Sequence, residues 1–312
     1  MINTLTLNPA IDRVLYLDKL EKNVTNRINL ATNVIGGKGT HVSINLKLLG
    51  LNSRAFGIGY GKTGSWIIQT LEEYGLDVEF VYREQDNSRT NYLFVEENND
   101  CTIVAEKGAP LSENDLAEIV ALLEAKIAPQ DYFVLSGDAS NYSNPYVYND
   151  IIAKLKDQHL KIFLDTSGKT LLKCIETAPF LIKPNLDELS FLCGKSIDSN
   201  DDAVISALRS LDHYGVEIIA VSLGKEGSIV KSPQGIFKAT PPKVNVRNTI
   251  GCGDSYLAGL IFALHAGQPM EEVIRLATAI SAATAESTLS VGFDKARASQ
   301  LLNQCEVKKI AS

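Results

Sequence analysis

The sequence predicts an α/β fold: one mostly parallel, doubly wound sheet with helices on both of its faces. Short β-branched runs alternate with longer helical patterns over most of the chain, which is the arrangement that such a sheet requires. With 312 residues, 45% of them hydrophobic, the chain can also bury a substantial core. No long linker, low-complexity segment or internal repeat divides it, so we expect residues 1–312 to form a single domain.

The individual elements follow from this alternation. We predict strands at Ile2–Leu7, Ser53–Ile58, Tyr132–Ser136, Lys161–Asp165, Phe180–Ile182 and Glu217–Ser222. We predict helices at His41–Leu49, Gly64–Tyr74, Leu116–Lys126, Pro145–Gln158, Asp202–Tyr214, Gly253–Ala266 and Glu271–Ser287. Ser112 and Asp115 form a capping signal before the third of these helices.

Two stretches interrupt the alternation, because each reads as consecutive strands without a helix between them. They cover residues 14–34 and 82–105. We expect them to form a small separate sheet, spanning about 12–35 and 82–107, that serves as a lid over a site in the main domain. A pair of surface hairpins is the alternative explanation of the same pattern.

Composition favours a protein of the cytoplasm that handles small ligands. A net charge of −7 argues against a nucleic-acid surface, which needs a basic face, although a few convergent cations can still bind a small anion. The N-terminus, MINTLTLNPAID, lacks the pattern of a signal peptide, and no uncharged run approaches the roughly 18 residues of a membrane helix. The five cysteines show no C-x-x-C pair, so we expect neither a zinc site nor a disulfide framework.

The segment Asn248-Thr-Ile-Gly251-Cys252-Gly253-Asp254-Ser255 places two glycines and a carboxylate at the start of a long apolar helix. Free N–H groups at a helix N-terminus stabilise an anion, and glycine lets the backbone approach it closely. Asp254 would repel that anion unless it has a task, such as accepting a proton from an attacking hydroxyl. A simple helix start is the alternative. The Cys252 thiol has no evident His or Asp partner, so we expect it to pack rather than to attack.

Three other segments place ligand-binding groups at the ends of predicted elements. Gly36-Gly37-Lys38-Gly39 leads into a helix and suits an anion, with a structural turn as the alternative. In Lys183-Pro-Asn185-Leu-Asp-Glu188, the side chains of Asn185 and Glu188 share a helix face; they suit a hydrated Mg²⁺ or a capping box. Ser222-Leu-Gly224-Lys-Glu-Gly227 closes a strand in the crevice where doubly wound sheets bind ligands.

Gly59-Tyr-Gly61-Lys-Thr-Gly64 matches the dinucleotide pattern G-x-G-x-x-G literally. That pattern is followed by an acidic residue about 20 residues later, at the end of the next strand. Here the next strand candidate, 78–82, leads into the suspected lid. A P-loop fails as well, because Phe56 stands where its first glycine belongs. We assign these glycines to a close backbone turn near a ligand, with an NAD-dependent oxidoreductase as a competing class.

Isolated charges lie in or beside the suspected lid. Asp12, Arg27 and Arg89 each read as a solvated surface charge when taken alone. Together with Lys38, they would form a cluster able to bind a phosphate.

Read in order, TLNPAID, GGKG, SRTN, KPNLDEL, SLGKEG and NTIGCGDSYLAG resemble the motif series of the ribokinase-like (PfkB) carbohydrate kinases, over residues 4 to about 290. The opening TLNPAID is similar to the branch that contains 1-phosphofructokinase and tagatose-6-phosphate kinase. The resemblance implies an ATP- and Mg²⁺-dependent kinase of a phosphorylated ketohexose. Fructose 1-phosphate is the expected substrate, giving fructose 1,6-bisphosphate, with tagatose 6-phosphate as the alternative. A homodimer through the lid sheet is also implied.

The same resemblance implies roles for individual positions. Asp254 would be the base, and the amides of residues 251–254, which include Gly251, Cys252 and Gly253, would form the anion hole. Asn185 and Glu188 would organise Mg²⁺ through water. The residues implied at the ATP site are Lys183, Asn185, Ser222, Gly224, Gly227 and Gly253, and those implied at the sugar phosphate are Asp12, Arg27, Gly37, Lys38, His41 and Arg89.

Three positions depart from the family pattern. His41 stands where GGKG-x-N has asparagine, Ser136-Gly-Asp138-Ala139 replaces SGSLP, and Ala105 replaces an expected asparagine. All three concern the sugar rather than phosphoryl transfer. They raise a second class of function, a non-enzymatic sugar-phosphate sensor, against which the retention of Asp254 argues because a sensor needs no base.

Overall fold

The computed structural model describes residues 1–98, 100–137 and 139–312. Its strands are β1 (Ile2–Thr6), β2 (Ala10–Leu17), β3 (Leu30–Gly36), β4 (Arg54–Tyr60), β5 (Asp77–Arg83), β6 (Arg89–Glu96), β7 (Cys101–Ala105), β8 (Tyr132–Ser136), β9 (Lys161–Asp165), β10 (Leu181–Ile182), β11 (Ile218–Ser222), β12 (Ser228–Ser232), β13 (Gly235–Thr240) and β14 (Glu306–Ala311). Its helices are α1 (Lys38–Leu49), α2 (Gly61–Glu73), α3 (Glu113–Lys126), α4 (Val147–Lys154), α5 (Gly168–Cys174), α6 (Leu186–Cys193), α7 (Asp201–Ser210), α8 (Cys252–His265), α9 (Met270–Ala285) and α10 (Lys295–Leu302).

The larger of two sheets has ten strands in the order β14-β13-β12-β11-β10-β9-β8-β1-β4-β5. Its seven strands from β11 to β5 run parallel, and β12, β13 and β14 extend one edge in antiparallel fashion. The carboxyl ends of the parallel strands therefore meet along one side, where ligands bind in sheets of this kind.

Helices cover both faces of this sheet, which confirms the doubly wound α/β prediction. Helices α3 to α7 bury side chains such as Leu116, Tyr148 and Leu189 in the core of one face. Helices α1, α8 and α9 bury Val42, Leu257 and their neighbours in the core of the other. Burial of such large apolar side chains is the main source of stability for the sheet.

Close packing of α8 on α9 fixes the direction of the helix that carries the predicted catalytic carboxylate. Gly259 lies so near α9 that a Cβ atom there would be 2.7 Å from the Cα atom of Ala277. Side chains from Ser255 to Ile261 are buried, so α8 is an interior helix. Its first turn opens at the carboxyl ends of the parallel strands, beside Lys183.

The smaller sheet has the strand order β3-β2-β6-β7, and two separate excursions of the chain form it, as predicted. The chain leaves the larger sheet after β1 and returns through Gly36 into α1; it leaves again after β5 and enters β6 at Arg89. The sequence pattern assigns residues 82 and 83 to the lid, but they pair with β4 and belong to the larger sheet. The role of the smaller sheet as a lid, and the division into one domain 1–312, stay predictions.

Several elements differ from the sequence-based expectation. Helix α1 begins at Lys38 and α2 at Gly61, each three residues before the predicted start. The strands β12, β13 and β14 and the helices α5 and α10 are absent from the prediction. In the part of the chain that is described, no helix is both long and apolar enough to cross a membrane.

Candidate active site

A cavity of about 410 Å³ lies at the carboxyl ends of the parallel strands, between the two sheets. Its size suits a small ligand rather than a macromolecule. Polar side chains from both sheets and from α1, α6 and α8 line it: Thr6, Asn8, Asp12, Lys38, His41, Arg89, Asn91, Lys183, Asn185, Glu188, Ser222 and Asp254. Most of the positions predicted to form a site are therefore brought together here.

The N-terminus of α8 forms one wall of the cavity. Gly251 precedes the helix with a φ of 79°, and no side chain in the described part of the chain caps this end. The Ser255 N–H donates to the Gly251 carbonyl (2.9 Å), so the three N–H groups of Cys252, Gly253 and Asp254 precede the first regular helical hydrogen bond. A Cβ atom on Gly251 would lie 1.9 Å from the Ser290 carbonyl oxygen. Glycine is thus required here, and the free donors suit an anion.

The Asp254 carboxylate faces the cavity from the first turn of α8 and is 7% exposed. Its Oδ2 lies 2.7 Å from the Nδ1 atom of His41 on α1. The Nε2 atom of His41 lies 2.7 Å from the Ile35 carbonyl oxygen. Both ring nitrogens of His41 therefore have partners within this chain. The predicted contact of His41 with the sugar stays a prediction.

A buried carboxylate, Asp165 at the end of β9, holds two lysines of the cavity. Its Oδ1 lies 3.1 Å from the Lys38 Nζ and 3.3 Å from the Lys183 Nζ. Burial opposes ionisation of Asp165, but the charges of Lys183 and Lys38 outweigh burial and lower its pKa. The Asp165 charge in turn raises the pKa of Lys38. Lys183 lies beside Gly253, so the pair of ammonium groups adds positive charge to the anion site.

Asn185 and Glu188 form a capping box at the start of α6. The Asn185 Oδ1 accepts the Glu188 N–H (2.8 Å), and the Glu188 Oε2 accepts the Asn185 N–H (2.9 Å). The capping box, which the sequence predicts as the alternative to a Mg²⁺ site, is thus present. Both residues also line the cavity. Among the described residues, no group of three or more His, Cys, Asp or Glu could hold a metal. Mg²⁺ normally keeps several waters and binds few protein groups, so this pair fits a hydrated ion.

The segment after β11 places Ser222 at the cavity and the two glycines beyond its lining. Ser222 bridges to Asn185, so the ends of β10 and β11 lie side by side. Gly224 opens a single helical turn that ends before Gly227. A Cβ atom on Gly227 (φ 92°) would lie 2.0 Å from the Ala239 carbonyl oxygen, so this glycine is required by the turn itself.

The smaller sheet contributes a group of polar side chains on the opposite wall. The Asn91 Nδ2 donates to the Asp12 Oδ1 (2.8 Å), and the Arg89 Nε donates to the Asn8 carbonyl (3.1 Å). Burial raises the pKa of Asp12. Gly37, with a φ of 104°, joins this wall to α1.

Some predicted positions are not brought to the cavity. Arg27 is exposed in the loop between β2 and β3. Gly59 and Gly64 touch backbone to backbone, with a Cβ atom on Gly64 falling 2.7 Å from the Gly59 Cα, and neither belongs to the described cavity lining. They make a close turn, as expected, but away from this site. Asp138 lies outside the described residues.

Two further positions concern side chains near the predicted site. Burial raises the pKa of the Cys252 thiol to about 12, which agrees with a packing role. Ala105 pairs with Asn91 across β7 and β6 and is exposed.

Sequence reasoning missed four polar residues of the site: Thr6, Asn8, Asn91 and Asp165. Asn8 and Asn91 lie within two of the motifs, TLNPAID and SRTN, but only their charged neighbours carry a predicted role. Asp165 ends a correctly predicted parallel strand, and an acid at that position was a usable signal.

Comparison with known proteins gives the class of this chain. Residues 5–294 match the pfkB family of carbohydrate kinases. The chain is 34% identical to 1-phosphofructokinase of Borreliella burgdorferi over 91% of this chain and 92% of that protein, and 29% identical to tagatose-6-phosphate kinase of Staphylococcus epidermidis over 99% and 100%. Its fold is similar to phosphofructokinase-2 from Escherichia coli in complex with potassium, with a TM-score of 0.90, 22% identity, and coverage of 97% of this chain and 98% of that one.

The chain belongs to the pfkB family of carbohydrate kinases. It is a phosphotransferase that uses an alcohol group as acceptor, and kinases of this family use ATP. The dinucleotide oxidoreductase suggested by Gly59-x-Gly61-x-x-Gly64 is thereby set aside.

Proposed function

We propose that this kinase phosphorylates a hydroxyl of a phosphorylated ketohexose, converting fructose 1-phosphate to fructose 1,6-bisphosphate. The observation that carries the proposal is the position of Asp254 beside the free N–H groups of α8, with Lys38 and Arg89 lining the same cavity. A base, an anion hole and cations for a second phosphate are what such a reaction requires. The relatives named 1-phosphofructokinase support this choice of sugar.

The chain's own groups would divide the reaction between them. Asp254 would accept the proton of the acceptor hydroxyl, and the amides of Cys252 and Gly253 would donate to the transferred phosphoryl group. Lys183, close to Gly253, would offset negative charge on the phosphates of the donor. When bound, ATP supplies the phosphoryl group and Mg²⁺ supplies further positive charge at its phosphates.

The ATP site would extend along the ends of β10 and β11. Lys183, Asn185 and Ser222 line that part of the cavity, and Gly224 and Gly227 shape the turn behind it. Asn185 and Glu188 would hold Mg²⁺ through water, since their first-turn positions leave each side chain facing the cavity.

The sugar phosphate would bind on the wall formed by the smaller sheet. Asp12 accepts hydrogen bonds and suits sugar hydroxyls, whereas Lys38 and Arg89 suit a phosphate. Tagatose 6-phosphate is the second candidate, because a relative with that name matches the chain over 99% of its length. The two substrates carry the same groups in different positions, so the residues named here suit both.

A screen of ADP release tests activity and substrate together. Fructose 1-phosphate, fructose 6-phosphate, tagatose 6-phosphate and unphosphorylated sugars would each be offered with MgATP. Fructose 1-phosphate should give the highest kcat/KM. Folded protein that releases no ADP with any phosphorylated sugar would contradict the proposal and favour a sensor.

Asp254→Asn tests the base. Removing a general base typically costs about 10²–10⁴ in kcat, while isothermal titration should still detect sugar binding. Asp202→Asn is the matched control, because Asp202 is also an acid in the first turn of a helix but is exposed. If a measurable wild-type turnover survives Asp254→Asn unchanged, Asp254 is not the base.

We also propose that the smaller sheet is a lid and a dimer interface, in a protein of the cytoplasm. It exposes apolar side chains that a partner copy could cover, with Leu30 60% exposed and Val104 55% exposed. Within one chain Arg27 is exposed, so its role as a phosphate ligand depends on a second copy that presents this loop to the cavity.

Sedimentation velocity tests the dimer. Val104→Glu should shift the protein toward the monomer, because it buries a charge at the interface. Tyr74→Glu, at an exposed aromatic residue that follows α2, should not. A wild-type protein that is monomeric at high concentration would contradict this proposal without affecting the assignment of the base.

A further inference from the structure

The contact between His41 and Asp254 specifies a protonation state. The His41 side chain is buried, with the residue 3% exposed. Its Nε2 faces the Ile35 carbonyl oxygen at 2.7 Å. A carbonyl oxygen only accepts hydrogen bonds, so Nε2 must carry a hydrogen.

The other ring nitrogen leads to the same requirement. Nδ1 lies 2.7 Å from the Asp254 Oδ2. A neutral imidazole with its hydrogen on Nε2 would point a lone pair at an ionised carboxylate oxygen, which is repulsive at this distance. A proton must therefore lie between Nδ1 and Oδ2, in addition to the one on Nε2.

The surrounding charges determine which of the two atoms holds that proton. Two carboxylates act on His41: Asp254 from α8 and Asp12 from β2. The nearby cations interact with these two carboxylates rather than with the ring of His41. The charge of Lys38 acts on Asp254, and the charge of Arg89 acts on Asp12. Burial disfavours a charged ring, but the hydrogen bond and charge of Asp254 and the charge of Asp12 outweigh it and raise the pKa of His41.

We propose that His41 is an imidazolium and the positioning residue of the base: it holds the Oδ2 of an ionised Asp254 and leaves Oδ1 to the acceptor hydroxyl. The inference rests on the proposed function, because it assigns a partner to the base of that site. No hydrogen bond from the described residues engages Oδ1. In the reaction, the hydroxyl oxygen would bond to the γ-phosphorus of ATP while the bond from that phosphorus to the bridging oxygen breaks and ADP leaves. The hydroxyl proton would pass to Oδ1, and His41 would keep its own protons.

The charge on His41 also changes the balance of the cavity. Three other cations, Lys38, Arg89 and Lys183, and three carboxylates, Asp12, Glu188 and Asp254, line it. An asparagine at position 41, as in the family pattern, would donate a hydrogen bond without charge. An imidazolium adds a positive charge to a cavity that must hold anionic ligands.

Long-range ¹H–¹⁵N correlation spectra of the wild-type protein test the protonation state directly, since they distinguish the imidazolium from each neutral tautomer. Two protonated ring nitrogens on His41 at pH 7 are expected. Asp254→Asn should lower the pH at which His41 titrates by about 1 unit or more. The spectra of the three exposed histidines, His159, His213 and His265, should be the same in both proteins. A bare nitrogen at pH 7, or an unchanged titration in the variant, overturns the proposal.

Kinetics test the positioning role. His41→Asn keeps a hydrogen-bond donor but removes the positive charge beside the carboxylate, so the ionised form of the base loses its charged partner. The pH below which kcat/KM falls should then rise by about 1 unit. His213→Asn, the same exchange at an exposed site, should leave the profile unchanged. If the maximal kcat/KM of His41→Asn falls but the pH below which kcat/KM declines stays the same, His41 is merely structural.

The spectra and the kinetics together distinguish a neutral His41 from a failure of the proposed function. The spectra need no turnover, so they apply even if the wild-type protein releases no ADP with any sugar phosphate. A kinase with normal turnover and a neutral His41 would overturn the inference alone.

Discussion

Replacement of Gly251 by alanine tests whether the start of α8 is the anion hole. Gly251 has a φ of 79°, a left-handed conformation that costs a residue with a Cβ about 1–2 kcal/mol. The added Cβ would also lie 1.9 Å from the Ser290 carbonyl oxygen, whereas ordinary contact begins at 3.4 Å. The two segments must therefore move apart by about 1.5 Å, the difference between these distances.

That movement would displace the donors at Cys252 and Gly253. A misplacement of about 1 Å in an active site can cost about 10² in rate, and losing one anion-hole donor costs about 10²–10³ in kcat, or about 2.7–4 kcal/mol. We expect Gly251→Ala to lower kcat by about 10²–10³. Coupled ADP release with fructose 1-phosphate measures kcat, and urea denaturation measures the free energy of unfolding.

Gly267→Ala is the matched control at the other end of the same helix. Gly267 has a φ of 68°, and no atom of the described residues lies within 4 Å of the position that an added Cβ would take, so the variant meets the backbone cost without the clash. It should lose stability of about 1–2 kcal/mol and keep its kcat. The reasoning is refuted if Gly251→Ala keeps kcat within about threefold of wild type.

Three other substitutions have defined outcomes. Cys252→Ala should keep kcat within about threefold, and iodoacetamide should not inactivate the wild type at neutral pH, because burial raises the pKa of this thiol to about 12. Gly259→Ala should lower the free energy of unfolding in urea by about 1–3 kcal/mol, because its Cβ would meet Ala277. Asp115→Asn should destabilise the protein at neutral pH. Burial raises the pKa of Asp115, but hydrogen bonds from Ser112, Arg83 and Tyr60 together outweigh burial and lower the pKa below 3.8. The stabilisation is therefore complete above pH 3.8 and is lost as pH falls through the folded-state value.

Each of these outcomes has a clear contrary result. Rapid alkylation of Cys252 with loss of activity would restore it as a candidate nucleophile. Unchanged stability of Gly259→Ala would mean that α8 and α9 can separate without cost. A stability difference for Asp115→Asn that is the same at pH 3 and pH 7 would rule out ionisation as its cause.

Local patterns predicted most of the larger sheet, because its buried strands are short β-branched runs and its helices are amphipathic or wholly apolar. Tyr132–Ser136 and Lys161–Asp165 were predicted with their observed bounds. The hairpin of β12 and β13 was missed although only two residues separate its strands. The edge strand β14 (Glu306–Ala311) was missed because it carries lysines and is separated from its partner β13 by 65 residues of helix and loop. Its pairing is long-range and leaves no local signal.

In the site, too, local patterns predict some features and miss those that depend on long-range contacts. Glycines next to Lys38 and Asp254 mark helix starts within a few residues, so they could be read from the sequence. The bond between His41 and Asp254 joins residues 213 apart, and the bond between Lys38 and Asp165 joins residues 127 apart. Such pairs depend on the packing of α1 against α8 and on the position of its first residue near the end of β9, which no single segment encodes. Arg27 shows the opposite case. Its position in the sequence predicts a phosphate ligand, but within one chain Arg27 is exposed and does not belong to the described cavity lining.

Different segments of the chain form the two sheets, so substitutions in the smaller sheet and substitutions in the larger sheet affect different groups of the site. Asp12 and Arg89 belong to the excursions, whereas Lys183, Gly251 and Asp254 belong to the larger sheet and its helices. On the proposed function, a substitution in β2 or β6 would therefore alter which sugar is accepted while the transfer chemistry is conserved. Directed evolution toward a new acceptor would begin with libraries confined to those two strands.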